Sequence, residues 1–184
     1  MEILPLKIEG AFRIPLDVHH DSRGFFTRTY DEEAFTKKGL VTQWVQESHS
    51  FSAYKGTVRG LHFQTQPHAE TKLVRAGLGS IFMVLLDLRK ASTTFGMWES
   101  LTLSIEKPET LYAPKGLAMG MCTLADNSSL LYKMDTAYEP KSARTVRWND
   151  PALSIPWPVE NPVLSDKDKA APLLKDFLSA EGAL

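Results

Sequence analysis

The sequence predicts a mainly β fold, a sandwich or small barrel of the jelly-roll type with a few short helices. Two observations support this prediction. Apolar or alternating runs of strand length recur along the chain, each bounded by Gly, Pro, Asp, Asn or Ser. Convincing helical spacing occurs in only two places. Many short strands with few helices are typical of sandwiches, barrels and jelly rolls.

The strand-length runs are short and polar at their ends. Within 98–105 and 144–148, apolar residues alternate with polar ones, which is the pattern of a strand with one buried face. The predicted strands lie within 10–19, 24–31, 72–77, 80–89, 97–105, 110–116, 129–138 and 144–150.

The two helical segments carry recognisable start and stop signals. The first, 31–39, has Asp31 as an N-cap, acidic residues in its first turn, lysines in its last turn and Gly39 at its end. The second, 165–182, has Ser165 as a possible cap and is interrupted by Pro172. The fold prediction therefore includes a C-terminal helix.

Composition limits the possible classes of function. With 184 residues, 43% hydrophobic and 23% charged, the chain is expected to form one domain over 1–184. Its formal net charge of -1 gives no reason to expect nucleic acid or an anionic membrane surface as a partner. The longest apolar run, 81–86, is too short to span a bilayer.

The cysteine content and the N-terminal residues both indicate in which cellular compartment the protein is expected. Cys122 is the only cysteine, so neither an internal disulfide nor a cysteine-rich zinc site is expected, which fits a reducing cytoplasm. Residues 1–12 lack the charged and long apolar regions of a secretory signal.

His62 raises the question of a metal site. Cupins, small barrels with a histidine at a strand end, usually bind a metal through His-x-His and a further histidine after a Pro-x-Gly turn. Alternate residues on a strand share one face, so that spacing directs both rings inward. Here the position two residues after His62 is Gln64, and the position of the later histidine holds Met119. The sequence therefore predicts no metal and no cofactor.

An ordered series of motifs indicates a family. They are DSRGFF (21–26), GTVRGLHFQ (56–64), KLVR (72–75), DLRKASTTFGMW (87–98), PKGLAMG (114–120), YKMDTAY (132–138), WNDPALSIPWP (148–158) and LSDKD (164–168). In these motifs the chain resembles the dTDP-4-dehydrorhamnose 3,5-epimerase family. The members of this family are metal-free cupins that invert stereocentres on nucleotide-linked 4-keto-6-deoxy sugars.

The resemblance implies four catalytic residues. Inverting a carbon next to a ketone requires a base on one face, a cation or donor at the enolate oxygen and an acid on the opposite face. His62 matches the base, Asp168 the carboxylate that orients it, Lys72 the cation and Tyr132 the acid. Each also has a plainer interpretation: a core histidine, a helix N-terminal acid, a solvated strand-end lysine and a barrel-filling tyrosine.

The resemblance also implies residues that bind the substrate. Arg59 and Arg23 match positions that hold the diphosphate, where a planar guanidinium suits bidentate contact. Tyr138 is more readily interpreted as an ordinary strand residue, with nucleotide binding as the alternative. The remaining predicted substrate-binding residues are Phe26, Arg28, Gln46, Ser48 and Met119.

Several positions depart from the family pattern. Arg28 replaces a glutamate that hydrogen-bonds the base of the nucleotide. Ser48 replaces an asparagine, Glu70 a glutamine and Ala143 a glutamate. Met119 replaces a histidine, and a thioether donates no hydrogen bond. These changes predict an active epimerase with a non-standard substrate: a 3-deoxy or otherwise modified sugar, another nucleotide, or inversion at a single centre.

Two other functions remain open from the sequence. A cupin ketoisomerase uses the same enediolate but needs no acid on the opposite face. A non-catalytic sugar-nucleotide binding protein is the second alternative, and the altered substrate residues favour it. The resemblance further implies a role in deoxysugar biosynthesis and a homodimer formed by exchange of N-terminal strands.

Overall fold

The chain folds into two facing antiparallel sheets with three short helices. The computed structural model describes residues 1–184, and it confirms the mainly β prediction, including the C-terminal helix. The strands are β1 Leu4–Pro5, β2 Phe12–Pro15, β3 Val18–Asp21, β4 Gly24–Thr27, β5 Gln46–Ser52, β6 Val58–Gln64, β7 Lys72–Leu78, β8 Ser80–Asp87, β9 Trp98–Ser104, β10 Glu109–Ala113, β11 Leu117–Thr123, β12 Ser128–Met134 and β13 Ala143–Thr145. The helices are α1 Glu32–Lys37, α2 Asp166–Lys169 and α3 Leu174–Glu181.

The strand order is that of a jelly-roll sandwich. One sheet has six strands in the order β1-β2-β10-β7-β12-β5, and the other has five in the order β13-β6-β11-β8-β9. The hairpin β3–β4 stands apart from both sheets. Strands that are distant in sequence therefore become neighbours, which brings β6 and β11 together in one sheet and β7 and β12 together in the other.

The main core fills the space between the sheets. It contains twelve buried residues, with Val74 and Leu130 from the six-stranded sheet facing Met83, Leu85 and Met121 from the five-stranded sheet. Side chains on successive strand residues point to opposite faces, so only alternate positions enter this core. The same alternation determines which residues surround the site described below.

The C-terminal helix covers the outer face of the five-stranded sheet. Phe177 of α3 packs edge-on against Phe63 of β6, with ring centroids 5.1 Å apart. Burying Phe63 on the outer face turns its neighbour His62 toward the space between the sheets. This packing links the apolar tail of the sequence to the direction of a candidate catalytic side chain.

The predicted helix signals are confirmed. Asp31 caps α1 by accepting the backbone N–H of Ala34 at 3.1 Å, and Phe35 is buried beneath the helix. Ser165 caps α2, and Pro172 lies in the gap between α2 and α3. Proline cannot donate a backbone hydrogen bond, so the tail forms two helices instead of one.

The strand predictions need correction. Four strands, β1, β5, β6 and β11, lie outside the predicted runs, and Tyr138, interpreted as a strand residue, lies beyond the end of β12 at Met134. The run 10–19 contains two strands, β2 and β3, separated at Leu16 and Asp17. Strand β5 was not predicted, because QESHSFS offers little apolar alternation. It forms the edge of the six-stranded sheet, pairing on one side only with β12.

A buried acid anchors the N-terminal segment. Asp87 is fully buried, and its carboxylate accepts hydrogen bonds from Arg89, Ser92 and Thr94. Burial alone would raise the pKa of Asp87, but these donors lower it to about 2. Arg89 also donates to the backbone carbonyl of Glu9 at 2.7 Å, which ties the start of the chain to β8.

None of the three helices is long and apolar enough to cross a membrane.

Candidate active site

His62 lies on β6 and points into the space between the sheets. It is paired with Met119 of β11 and Thr145 of β13, so the three side chains share one face of the sheet. Gly60, two residues earlier, has φ +118°, and a Cβ there would lie 2.6 Å from the carbonyl oxygen of Met119. Glycine is needed at this position, and it lets β6 approach β11 closely beside the histidine.

The His62 ring is paired with the carboxylate of Asp168. His62 Nε2 and Asp168 Oδ1 are 2.6 Å apart, and the two side chains are 39% and 4% exposed, respectively. Burial alone would raise the pKa of Asp168, but hydrogen bonds from His62 and Ser165 outweigh it and hold the pKa below its ordinary value. An ionised carboxylate only accepts hydrogen bonds, so Nε2 carries the proton in the neutral ring. The lone pair on Nδ1 is therefore the one available to act as a base.

Lys72 begins β7 and is paired with a second buried acid. Its Nζ lies 2.8 Å from Oε1 of Glu70, and the side chains are 16% and 9% exposed, respectively. The amide of Gln64 donates to Oε2 of Glu70 at 3.3 Å and to the carbonyl of His68 at 2.9 Å. These contacts hold the lysine at the wall of the cavity.

Tyr132 approaches the same space from the opposite sheet. It lies on β12 of the six-stranded sheet, whereas His62 belongs to the five-stranded sheet. His62, Lys72 and Tyr132 all line two adjoining cavities. The larger, of about 460 Å³, is bordered by β5 and is called the outer cavity; the smaller, of about 100 Å³, lies against core residues such as Met83 and is called the inner cavity. A ring-shaped molecule between the sheets can therefore meet the imidazole on one face and the phenol on the other.

Three predicted substrate-binding residues line the outer cavity. These are Gln46, Ser48 and Tyr138. Gln46 and Ser48 alternate along the edge strand β5, so both face inward. The Oε1 atom of Gln46 accepts the backbone N–H of Tyr138 at 2.7 Å, which fixes the segment after β12 against β5. The structure thus brings these three residues together with the candidate catalytic residues.

The inner cavity is largely apolar. Met83, Met119 and Met121 lie in its wall, and Met83 and Met121 are almost fully buried. Arg59 is the predicted diphosphate-binding residue that reaches this cavity, and it also donates to the backbone carbonyl of Phe51 at 3.2 Å. The inner cavity therefore offers carbon and sulfur atoms where the family pattern has an imidazole at position 119.

The other predicted binding residues lie elsewhere in the single chain. Arg23, Phe26 and Arg28 belong to the β3–β4 hairpin or follow it, and none of them lines the cavity that contains His62. The Arg23 side chain is 88% exposed and pairs with Asp21. Phe26 and Arg28 line a separate pocket of about 240 Å³, where Arg28 pairs with Asp31 at 3.0 Å.

Several residues of the site were not predicted from the sequence. Glu70 was noted only as a departure from the family, yet it is the partner of Lys72. Met121 could have been found, because it follows Met119 by two residues and so shares its face of the strand. Met83 gave no signal, since it lies inside the uniformly apolar run 81–86.

The chemical groups of the site suit proton transfer. They comprise an imidazole oriented by a carboxylate, an ammonium group and a phenol around one cavity, which are the parts needed to form and reprotonate an enolate. No three His, Cys, Asp or Glu side chains are grouped in a way that could hold a metal ion. Gln64 instead holds loops together, accepting the backbone N–H of Glu139 at 2.6 Å.

Comparison with known proteins gives consistent results. A family model described as dTDP-4-dehydrorhamnose 3,5-epimerase matches residues 5–176. The curated dTDP-4-dehydrorhamnose 3,5-epimerase of Salmonella typhimurium is 43% identical over 183 residues, which cover 98% of this chain and 100% of that protein.

Solved structures share the same fold. The dTDP-4-dehydrorhamnose 3,5-epimerase of Bacillus anthracis, with TDP and PPi bound, superposes with a TM-score of 0.91 at 42% identity, covering 94% of this chain and 99% of that one. A 3′-monoepimerase from Streptomyces bikiniensis, in complex with dTDP-quinovose, gives a TM-score of 0.92 at 31% identity, covering 98% and 91% of the two chains. The match over almost the whole length, together with the fold and the grouping of His62, Lys72, Tyr132 and Asp168, shows that this chain belongs to the dTDP-4-dehydrorhamnose 3,5-epimerase family.

Proposed function

We propose that this enzyme inverts a stereocentre next to the ketone of a nucleotide-linked 4-keto-6-deoxy sugar, in deoxysugar biosynthesis. The proposal rests on the positions of His62 and Tyr132, which line the same two adjoining cavities from opposite sheets. Lys72 lines both cavities as well. Inversion requires a proton to leave one face of a carbon and another to arrive at the opposite face.

In the first step, Nδ1 of His62 removes the hydrogen from the carbon next to the ketone. The electron pair of the broken C–H bond forms the enolate, whose charge gathers on the ketone oxygen. The ammonium of Lys72 stabilises that oxygen, and a cation in a partly buried site does so more strongly than water. Asp168 stabilises the imidazolium that forms, because its carboxylate lies 2.6 Å from Nε2.

In the second step, the phenol of Tyr132 gives its proton to the carbon from the opposite face. The enolate electrons form the new C–H bond, and the ketone is restored with the carbon inverted. His62 then loses its extra proton and Tyr132 regains one, both by exchange with solvent at the open mouth of the cavity. A ketoisomerase has no use for an acid on the second face, so the position of Tyr132 favours epimerisation.

We assign the nucleotide to the outer cavity and the sugar to the inner one. The outer cavity is bordered by Gln46, Ser48 and Tyr138. Arg59 lines the inner cavity, where it would bind the diphosphate that joins the nucleotide to the sugar. The bound TDP of the Bacillus anthracis relative supports a nucleotide ligand of this class.

A reducing cytoplasm is the expected location of the protein, since the only cysteine, Cys122, is buried and unpaired.

The inner cavity favours a substrate that differs from dTDP-4-keto-6-deoxyglucose. Met83, Met119 and Met121 form an apolar wall beside His62. A hydroxyl pressed against this wall would lose its hydrogen bonds to water without replacement, which is costly, whereas a hydrogen would not. We therefore propose a sugar that carries a hydrogen where the usual substrate carries a hydroxyl, such as a 3-deoxy sugar.

Met119→His tests this specificity. The variant is expected to raise kcat/KM for dTDP-4-keto-6-deoxyglucose, by up to roughly 10²-fold, because one well-placed donor contributes about that much. It should lower kcat/KM for the 3-deoxy analogue. Met119→Leu is the matched control, since it stays apolar and should keep the preference for the deoxy sugar. A wild-type protein that prefers the hydroxylated sugar would count against the assignment.

We also propose that a second copy of the chain completes the site. The hairpin residues Arg23 and Phe26 are exposed and do not line the cavity of their own chain, although the family pattern assigns both to the substrate. A homodimer that exchanges N-terminal segments would bring the hairpin of one chain to the cavity of the other. Size-exclusion chromatography with light scattering should give a dimer, and a monomer would contradict the proposal.

Mixing variants tests whether Arg23 acts across that dimer. His62→Asn and Arg23→Ala chains are each expected to be impaired. When they are refolded together, each mixed dimer should contain one intact site and activity should reappear. If the mixture stays as inactive as its components, Arg23 does not act in the site of the other chain.

Product analysis tests the proposed function as a whole. The protein is incubated with dTDP- and CDP-linked 4-keto-6-deoxyglucose and a 3-deoxy analogue, and proton NMR follows the ring couplings. We expect inversion at C5 of the 3-deoxy analogue, whose C3 carries two hydrogens and is not a stereocentre, and at C3, C5 or both in any hydroxylated sugar that reacts, with the ketone still at C4. A ketone at a neighbouring carbon would identify a ketoisomerase, and binding without any product would identify a non-catalytic binding protein.

A further inference from the structure

We propose that Ser165 is a positioning residue, whose hydroxyl fixes the Asp168 carboxylate so that His62 adopts one orientation and one tautomer. This inference rests on the proposed role of His62 as the base. It concerns a residue that the sequence predicted only as a helix cap, and it assigns that residue a part in the reaction.

The hydrogen bonds of Ser165 are fully determined by their partners. Its Oγ lies 2.8 Å from Oδ2 of Asp168 and accepts the backbone N–H of Asp168 at 3.1 Å. A hydroxyl has a single hydrogen, and an ionised carboxylate can only accept. The Ser165 hydrogen must therefore point to Oδ2.

The two oxygens of Asp168 are thus held by different donors. Oδ1 meets Nε2 of His62 at 2.6 Å, and Oδ2 meets the hydroxyl of Ser165. The backbone N–H of Gly60 also contributes to the lowered pKa of this carboxylate, but the two side-chain hydrogen bonds, on opposite oxygens, are the contacts that fix its rotation about the χ2 bond, which is otherwise broad. The side chain is only 4% exposed, so water cannot readily replace a missing donor.

Fixing the carboxylate also fixes the histidine. Nε2 of His62 keeps its hydrogen because Oδ1 faces it, and Nδ1 is left free to accept the substrate proton. If the carboxylate rotates, Oδ1 no longer accepts the hydrogen bond from Nε2, and the neutral ring no longer favours the tautomer protonated on Nε2. Ser165 therefore acts on the reacting nitrogen through Asp168, without touching the substrate.

A purely structural role for Ser165 makes a different prediction. The residue is also the N-cap of α2, where any residue that suits the N-cap position would serve. Three substitutions separate the two roles. Ser165→Ala loses both the cap and the donor, Ser165→Gly has no donor but is tolerated at the N-cap, and Ser165→Thr keeps both.

The kinetic test compares these variants with the preferred substrate. We expect kcat to fall roughly 10- to 100-fold in the Ala and Gly variants, the range for losing a hydrogen bond to a charged group, with KM unchanged. Ser165→Thr should keep the wild-type kcat. The Gly variant should melt close to the wild-type temperature, because glycine is tolerated at the N-cap, so that its loss of activity cannot be attributed to unfolding.

The decisive test needs no substrate. Long-range proton–nitrogen NMR of protein with ¹⁵N-labelled histidine reports the tautomer of His62 in the free enzyme. Wild type and Ser165→Thr should show the form protonated on Nε2, and the Ala and Gly variants a mixture. A wild-type tautomer and wild-type kcat in Ser165→Gly would reduce Ser165 to a cap and overturn the inference. If wild type itself turns over none of the sugars, the proposed function fails, while the tautomer result still decides the role of Ser165.

Discussion

Replacing His62 with Asn is expected to abolish deuterium uptake from solvent into the sugar. Asn retains a polar side chain beside Asp168 but has no basic nitrogen, so no group remains at Nδ1 to take the proton. Removing a general base of this kind costs roughly 10²- to 10⁴-fold in rate. Proton NMR of the substrate in deuterium oxide measures the loss directly at C3 and C5.

The matched control for this experiment is His49→Asn. His49 lies on β5 with an exposed side chain, at a position that alternates with the cavity-lining Ser48. It should exchange deuterium as fast as wild type. Undiminished exchange in the His62 variant would remove His62 as the base and leave its pairing with Asp168 as a structural feature.

Tyr132→Phe is expected to slow net inversion of the sugar more than it slows the uptake of deuterium from solvent. Without the phenol, His62 can still remove the proton and return a deuteron to the same face, so wash-in continues. Delivery of a proton to the opposite face loses its donor, and net inversion should slow by roughly 10²-fold or more. One NMR time course with and without deuterium oxide gives both rates.

Tyr54→Phe provides the control for the tyrosine. Tyr54 is 66% exposed and is not among the residues that line the cavity, so both rates should stay at the wild-type level. If Tyr132→Phe slows wash-in and inversion equally, the phenol does not act as the acid. It would then serve to bind the sugar or to fill the barrel.

The sequence was sufficient for most of the fold because alternation and turn residues mark strands with one buried face. Strand β9 follows this rule. Strand β5 does not, since QESHSFS lies at a sheet edge and carries polar residues toward both the cavity and the solvent. The helix caps Asp31 and Ser165 were readable because a cap depends on a few adjacent residues.

The candidate site could be predicted only in part. His62, Lys72, Tyr132 and Asp168 are spread over more than a hundred residues, and only the family resemblance grouped them before the structure did. Asp168 shows how two interpretations can hold together. It lies in the first turn of α2, as a helix N-terminal acid would, and its carboxylate also faces the histidine.

Other parts of the site depend on contacts that no local pattern records. The pairing of Glu70 with Lys72 depends on the path of the loop before β7, which Gln64 holds in place. Met83 joins the inner cavity because β8 happens to pair with β11 in the register that places it opposite Met121. Arg23 and Phe26 do not line the cavity of their own chain, and their proposed place in the site depends on contacts with a second copy, which no local pattern records.

The most direct test of the account is deuterium exchange by the wild-type enzyme. The protein is placed in deuterium oxide with a nucleotide-linked 4-keto-6-deoxy sugar or its 3-deoxy analogue, and proton NMR records which ring signals disappear. We expect loss of signal only at carbons next to the ketone, at a rate that depends on His62. Binding of these sugars with no exchange at any carbon would contradict it.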